Sequence, residues 1–279
     1  MNAREAVEQG AARLVAAGVP EDRVKMEWWV AEVLGVKRDM LPYATVDAVQ
    51  ARRIEAGVRR MEQHEPLQYV IGHTPFLGLD LVTDARALIP RPETEELGAR
   101  VLDCRDLWSR PTVRIADVGT GTGCLAIALA HHRVHAYVTA IDQSSAALDL
   151  ARENARRNGV SARIAFVQGD LLDGIAPASL DAVVSNPPYV ASAQIPLLEE
   201  SVRRFEPLDA LDGGPDGLDL VRKLAHQAFT VLVDGGRVWL EIGDEQGDAV
   251  RDLLSGAGFR HVQVNADLYG QIRFAEGMK

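Results

Sequence analysis

Up to about residue 70, apolar residues recur at three- and four-residue steps, as in "VEQGAARLVAAG" and "MEWWVAEVLG". That spacing predicts helices, with Gly35 as a stop signal. The two tryptophans of the second stretch, Trp28 and Trp29, are large enough that at least one is expected to pack in so small a core. "DAVQARRIEAGVRRMEQHEP" continues as an amphipathic helix with a basic solvated face, ended by Pro66. Between about 75 and 92 the pattern turns to short β-type runs broken by Gly78, Asp84, Pro90 and Pro92, the signature of a hairpin within a linker. Helical spacing resumes in "PETEELGARVLDCRDLW", whose Pro92 and early glutamates suit the positive end of a helix dipole.

Beyond this point strands and helices alternate: "VRIADVG", "GCLAIALAHH", "AYVTAID", "SAALDLARENARRNG", "RIAFVQGD", "LDAVVSNPP", "GLDLVRKLAHQAFTVL", "GRVWLEIG", "GDAVRDLLSGAG". Such alternation predicts an α/β fold with a doubly wound, mostly parallel sheet. The expected organisation is a helical domain over 1–73, a linker with a β-hairpin over 74–92 and an α/β domain over 93–279. In sheets of this kind ligands sit beyond the carboxyl ends of the strands, so the residues just after each strand carry the functional information.

Composition narrows the picture. The 279 residues are 47% hydrophobic, enough for a substantial core. No run approaches the length of a membrane span, and the first residues carry acids where a signal peptide needs an apolar core, so a cytoplasmic protein is expected. Cys104 and Cys124 with seven scattered histidines suggest neither a disulfide framework nor a metal set. A formal charge of −10 argues against tight, sequence-independent nucleic-acid binding, which depends on Lys and Arg displacing counterions.

"ADVGTGTGCLAIALA" is a strand entering a helix through Gly119, Thr120, Gly121, Thr122 and Gly123. Glycines allow positive φ and let a nucleotide-like ligand approach the backbone. Gly121, Gly123 and Ala126 fit G-x-G-x-x-A, and Asp142 lies about 20 residues on, so the motif by itself admits either NAD or S-adenosylmethionine. The strand-end acids favour the second: Asp117 suits a cationic amino or sulfonium end, Asp142 can accept ribose hydroxyls, Asp170 can read an adenine amino group and Leu171 can cover the purine face.

"SNPPYV" follows the fourth strand of the alternating region and opens on the same crevice. The Asn186 side-chain oxygen and the Pro187 carbonyl can together accept both hydrogens of one –NH2 group, Pro187 and Pro188 stiffen the backbone that holds them, and Tyr189 supplies a flat wall. Accepting both hydrogens pushes density back onto a planar nitrogen and aims its lone pair at an electrophilic methyl; no strong base is needed.

"NPPY" with "DVGTGTGC" resembles class I methyltransferases acting on planar exocyclic or amide nitrogens. "EPLQYVIG" (65–72), "LIPRPETEEL" (88–97) and "EPLDALDGGPDGLD" (206–219) narrow the resemblance to the PrmC/HemK family of release factor glutamine methyltransferases, over nearly the whole chain. The resemblance implies S-adenosyl-L-methionine as methyl donor, S-adenosyl-L-homocysteine as product, and as acceptor the N5 amide of the glutamine in the Gly-Gly-Gln motif of class 1 peptide chain release factors. It further implies that Gly119 to Gly123 cradle the methionine part, Asp142 holds the ribose, Asp170 and Leu171 the adenine, and that Asn186, Pro187, Pro188 and Tyr189 form the glutamine site. The helical domain would bind the release factor, and the protein would act as a monomer without membrane or direct nucleic-acid contact. Arg91, Glu93 and Thr94 match the family's linker motif, their role open between cofactor contact and hinge. Two departures are Gln271, where a charged residue is expected, and Leu171, where some relatives carry an aromatic. Competing readings are a nucleic-acid adenine-N6 methyltransferase, disfavoured by the acidic charge, a non-catalytic binding protein of the translation machinery, and an NAD-dependent oxidoreductase, which lacks a hydride-handling His or Tyr-Lys pair.

Overall fold

The computed structural model describes residues 2–279, which form two compact units: residues up to His73 together with Glu199–Phe205, and Thr74–Leu198 together with Glu206–Lys279. In the first unit, α1 (Ala3–Ala16), α2 (Asp22–Leu34), α3 (Ala48–Met61) and α4 (Leu67–Ile71) enclose a core that includes Leu14, Met26, Val30, Val58 and Met61. Asn2 with Glu5 and Asp47 with Gln50 form capping boxes that satisfy the free backbone donors starting α1 and α3. Gly35 ends α2 in the left-handed conformation, as its position in the pattern implies.

Trp29 is buried and donates its indole N–H to the Ile54 carbonyl at 3.1 Å, while Trp28 is about half exposed beneath the Arg38 guanidinium. Gly57 is required here, because a Cβ would stand 2.2 Å from the Trp29 ring. The third helix does not run to Pro66. It stops at Met61, the chain turns through His64 at φ 65°, and Arg60 gathers the Glu65 carboxylate and the Tyr69 and Val70 carbonyls. Pro66 instead caps the start of α4.

The second unit opens with a hairpin, β1 (His73–Phe76, all but its first residue in this unit) and β2 (Leu79–Val82), followed by α5 (Pro92–Asp103) and α6 (Arg105–Trp108). It continues with β3 (Val113–Val118), α7 (Cys124–His132), β4 (Ala136–Asp142), α8 (Ser145–Arg157), β5 (Ile164–Gln168) and β6 (Leu180–Ser185). The helix α9 (Glu200–Phe205) belongs to the first unit; α10 (Asp219–Val231), β7 (Leu232–Glu241), α11 (Gly247–Gly256), β8 (Arg260–Ala266) and β9 (Ile272–Met278) complete the second. The sheet order is β5-β4-β3-β6-β7-β9-β8, parallel from β5 to β7 and antiparallel where β9 pairs with β7 and with β8. β8 went unread in the sequence because its pattern is half-exposed.

Alternate residues of the inner strands feed two cores. Ile115, Ala182 and Val184 pack with α5 and α7 on one face, and Val118, Val183 and Leu240 pack with α10 and α11 on the other. Covering both faces is what makes these strands near-continuous apolar runs. The hairpin placed in the linker by its sequence is built into this unit: buried Asn154 of α8 bonds both the N–H and the carbonyl of Val82, and Glu95 of α5 accepts the Leu77 N–H at 2.6 Å.

Candidate active site

The strand order reverses between β3 and β6, and at their carboxyl ends lies a cleft of about 880 Å³. The Ser185 hydroxyl closes the seam by donating to the Val118 carbonyl at 2.7 Å. The glycine loop leaves β3 with Gly119, Gly121 and Gly123 at φ 71°, 55° and 81°. A Cβ on Gly119 or Gly121 would meet no neighbouring atom closer than 3.8 Å and would instead occupy the cleft, so these positions form a cradle open to a ligand. Gly123 is glycine for a second reason, since its Cβ would come within 3.0 Å of Ala151 and Ile127.

Two aspartates hold the loop. Asp117 Oδ2 accepts from the Thr120 hydroxyl at 2.6 Å and the Ala126 N–H at 3.0 Å. It lines the cleft, and both of these bonds, made by one carboxylate oxygen, brace the loop from within. Burial pushes its pKa up to about 6, the two donors opposing the rise. Asp142 accepts the Gly121 N–H on one oxygen and the Ser144 N–H on the other, each at 2.9 Å, and stands on the cleft wall. Thr120 and Thr122 are buried and line the cleft as well. Asp170 is exposed, accepts from Gln143 at 3.1 Å and lies outside the lining, whereas Gln168, Gly169 and Leu171 line it. Leu171 is held at φ 51°, a costly conformation for a leucine that turns it into the cleft.

Beside Gly119, just after β6, stands Asn186; its Nδ2 donates to Thr94 Oγ1 at 2.9 Å, and Thr94 donates to Glu241 Oε2 at 2.7 Å. Asn186 and Pro188 line the cleft, and Pro187 between them is buried. Tyr189 is turned aside: its hydroxyl lies 3.4 Å from Glu241 Oε1, and it is not among the lining residues. Burial raises the Glu241 pKa to about 7 and, with the Glu241 charge, raises that of the Tyr189 phenol.

The "DALDGGPDGLD" stretch holds the NPPY backbone in place. Val190 N–H donates to the Leu211 carbonyl at 3.0 Å, Gly213 N–H to the Val190 carbonyl at 2.9 Å, and Gln246 bonds the Tyr189 and Gly217 carbonyls. A Cβ on Gly217 would overlap the Tyr189 carbonyl at 2.2 Å. The "PRPETE" residues divide their work: Arg91 pairs at 2.5 Å with buried Glu206, which also accepts the Ile89 N–H, and Thr94 joins Asn186 to Glu241. Sequence reasoning missed Glu241, Glu206 and Asn154. A carboxylate closing "GRVWLE", as Asp142 closes β4, was the available signal for Glu241.

A glycine cradle, strand-end carboxylates and a parallel sheet with an antiparallel edge, all meeting at one switch point, define the methyltransferase class of α/β proteins. Residues 97–203 match the methyltransferase small domain and residues 5–72 the PrmC N-terminal domain. Among solved structures, a methyltransferase from Pyrococcus furiosus shares the fold at TM-score 0.53 (21% identity, 72% of this chain and 89% of that one), as does the hMettl16 catalytic domain at 0.58 (16%, 90% and 91%). A release factor glutamine methyltransferase from Moorella thermoacetica is 41% identical over 98% of this chain and 97% of its own, and one from Deinococcus radiodurans 37% identical over 100% and 99%. The chain belongs to the release factor glutamine methyltransferase family. Among the described residues no cluster of side chains suits a metal ion, and no helix is long and apolar enough to cross a membrane.

Proposed function

We propose that this protein transfers a methyl group from S-adenosylmethionine to the side-chain amide nitrogen of the glutamine in the Gly-Gly-Gln motif of class 1 release factors, in the cytoplasm and as a monomer. The observation that carries the reading is Asn186: its Nδ2 is committed to Thr94, which leaves Oδ1 as an acceptor on the cleft wall beside the glycine loop. The Gly119 and Gly121 positions suit the methionine part of the cofactor, Asp142 the ribose and Leu171 the adenine face, with Asp170 at the rim.

When bound, S-adenosylmethionine supplies an electrophilic methyl on sulfonium. Asn186 Oδ1 and the Pro187 carbonyl accept the two amide hydrogens of the glutamine, orienting the nitrogen lone pair and favouring its pyramidal form. Transfer to that nitrogen would form one N–C bond as the donor's S–C bond breaks, the amide proton leaving to water or a neighbouring oxygen. The first unit serves to recognise the release factor away from the glutamine.

Purified protein with radiolabelled S-adenosylmethionine is expected to label unmodified release factor on glutamine, and Asn186→Ala to lose about 100-fold or more in kcat with cofactor affinity nearly intact. Label appearing on DNA or RNA instead would transfer the assignment to adenine.

A further inference from the structure

The polarity of the chain Glu241–Thr94–Asn186 carries an inference that rests on the function just proposed. We infer that the Glu241 carboxylate, acting through the single hydroxyl proton of Thr94, dictates which end of the Asn186 amide faces the cleft, so that Glu241 and Thr94 are positioning residues for methyl transfer.

An ionised carboxylate only accepts, so Thr94, 2.7 Å from Glu241 Oε2, must give its one proton there. Its oxygen then has only lone pairs to offer Asn186, which must turn Nδ2 toward it, at 2.9 Å, and Oδ1 toward the cleft. Protonation of Glu241 reverses the chain: the carboxylic acid donates to Thr94, the Thr94 proton becomes available to Asn186 Oδ1, and the amide turns over about its terminal torsion. Nδ2 would then confront the –NH2 of the acceptor, donor against donor. Thr94 and Glu241 are 3% and 1% exposed, so no solvent stands ready to supply the missing partner.

The groups around Glu241 are the Tyr189 hydroxyl from the segment after β6, Glu93 and Thr94 from α5, Arg273 from β9 and Cys124 from α7. Glu93 opposes the charge and Arg273 supports it. With the Glu241 pKa raised to about 7, chiefly by burial, the reversal falls within the range in which the enzyme would be assayed. Transfer therefore weakens as pH drops through this value, although no group on the acceptor amide titrates there.

The test reads Asn186 directly, in the full-length protein without cofactor or substrate. In ¹H–¹⁵N spectra the Asn186 side-chain amide, identified by its absence from Asn186→Ala, is expected to shift between pH 8 and pH 6, and to hold one position across that range in Glu241→Gln and in Thr94→Val. In turnover, each of these variants is expected to lose about 100-fold in kcat, with KM for S-adenosylmethionine within about threefold of the parent. The double variant should be no slower than the slower single, because both act through one chain. Thr94→Ser, which restores the hydroxyl, should regain about tenfold over Thr94→Val. An Asn186 amide signal indifferent to pH and to both substitutions, parental kcat in either variant, or additive losses would each overturn the inference. Should Glu241→Gln fail to fold, the near-isosteric Thr94→Val alone decides it. The spectra are independent of the methyl acceptor, so labelling of nucleic acid by the parent protein would sink the proposed function and leave this result standing.

Discussion

Glu241→Gln is expected to stabilise the protein at pH 8 while impairing catalysis, and the size of the effect follows from burial. The Glu241 carboxyl stands at the end of β7, about 1% exposed, with a pKa raised from 4.5 to about 7. A raised carboxyl pKa means that the folded protein holds this proton more tightly than the unfolded chain does. Its contribution to stability is complete below about pH 4.5 and is lost as pH rises through about 7. At 1.36 kcal/mol per unit the whole loss is on the order of 3 kcal/mol, most of which falls between pH 5 and pH 8. Glutamine is nearly isosteric with the protonated acid and does not titrate, so the variant escapes this loss. The quantity to measure is the difference in unfolding free energy between variant and parent, from urea denaturation followed by circular dichroism at pH 5 and pH 8. Packing differences do not vary with pH and the titration of Asp117 is common to both, so neither enters the change from pH 5 to pH 8. The difference should move in the variant's favour by about 2 to 3 kcal/mol from pH 5 to pH 8. A difference that stays constant with pH would refute the argument, because Glu241 would then bind its proton equally well folded and unfolded.

Three further outcomes follow from the site. Gly123→Ala places a Cβ 3.0 Å from Ala151 and Ile127 at φ 81°, and should cost about 2 kcal/mol or more, seen in thermal or urea melts. Arg91→Ala strands the buried Glu206 carboxylate and should destabilise by about 3 kcal/mol; Arg91→Ala with Glu206→Gln should be less destabilised than Arg91→Ala alone, which the same melts check. Deleting residues 2 to about 70 should raise KM for the release factor roughly tenfold while calorimetry finds S-adenosylhomocysteine affinity nearly unchanged; an unaltered KM would remove the recognition role from the first unit.

Much of the second unit is legible in the sequence. The glycines of "DVGTGTGC", Asp142 and Asn186 stand where period and motif place them, because a parallel sheet buried on both faces forces long apolar runs, and those runs advertise where each strand ends. Helix ends were less legible: α3 stops five residues short of Pro66 because Arg60 can gather Glu65 and two carbonyls at a turn, a tertiary arrangement without a local signature. Asp170 and Tyr189 illustrate the opposite limit. Their positions after strands are evident, but their partners depend on neighbours distant in the chain: Asp170 accepts from Gln143 and the Tyr189 hydroxyl turns to Glu241.

By itself, then, the sequence determined the layered architecture, the strand ends that could bear chemistry and the acceptors that NPPY can present, since these rest on periodicity and on what each side chain can accept or donate. Tertiary structure alone decided how that site is held. Thr94, Asn186 and Glu241 are separated by 92 and 147 residues from first to second and from first to third, and only packing of α5 against the carboxyl ends of β6 and β7 gives their hydrogen bonds a direction. Pattern reports which residues a strand or helix must bury; the direction of a hydrogen bond between buried groups exists only once the elements have met.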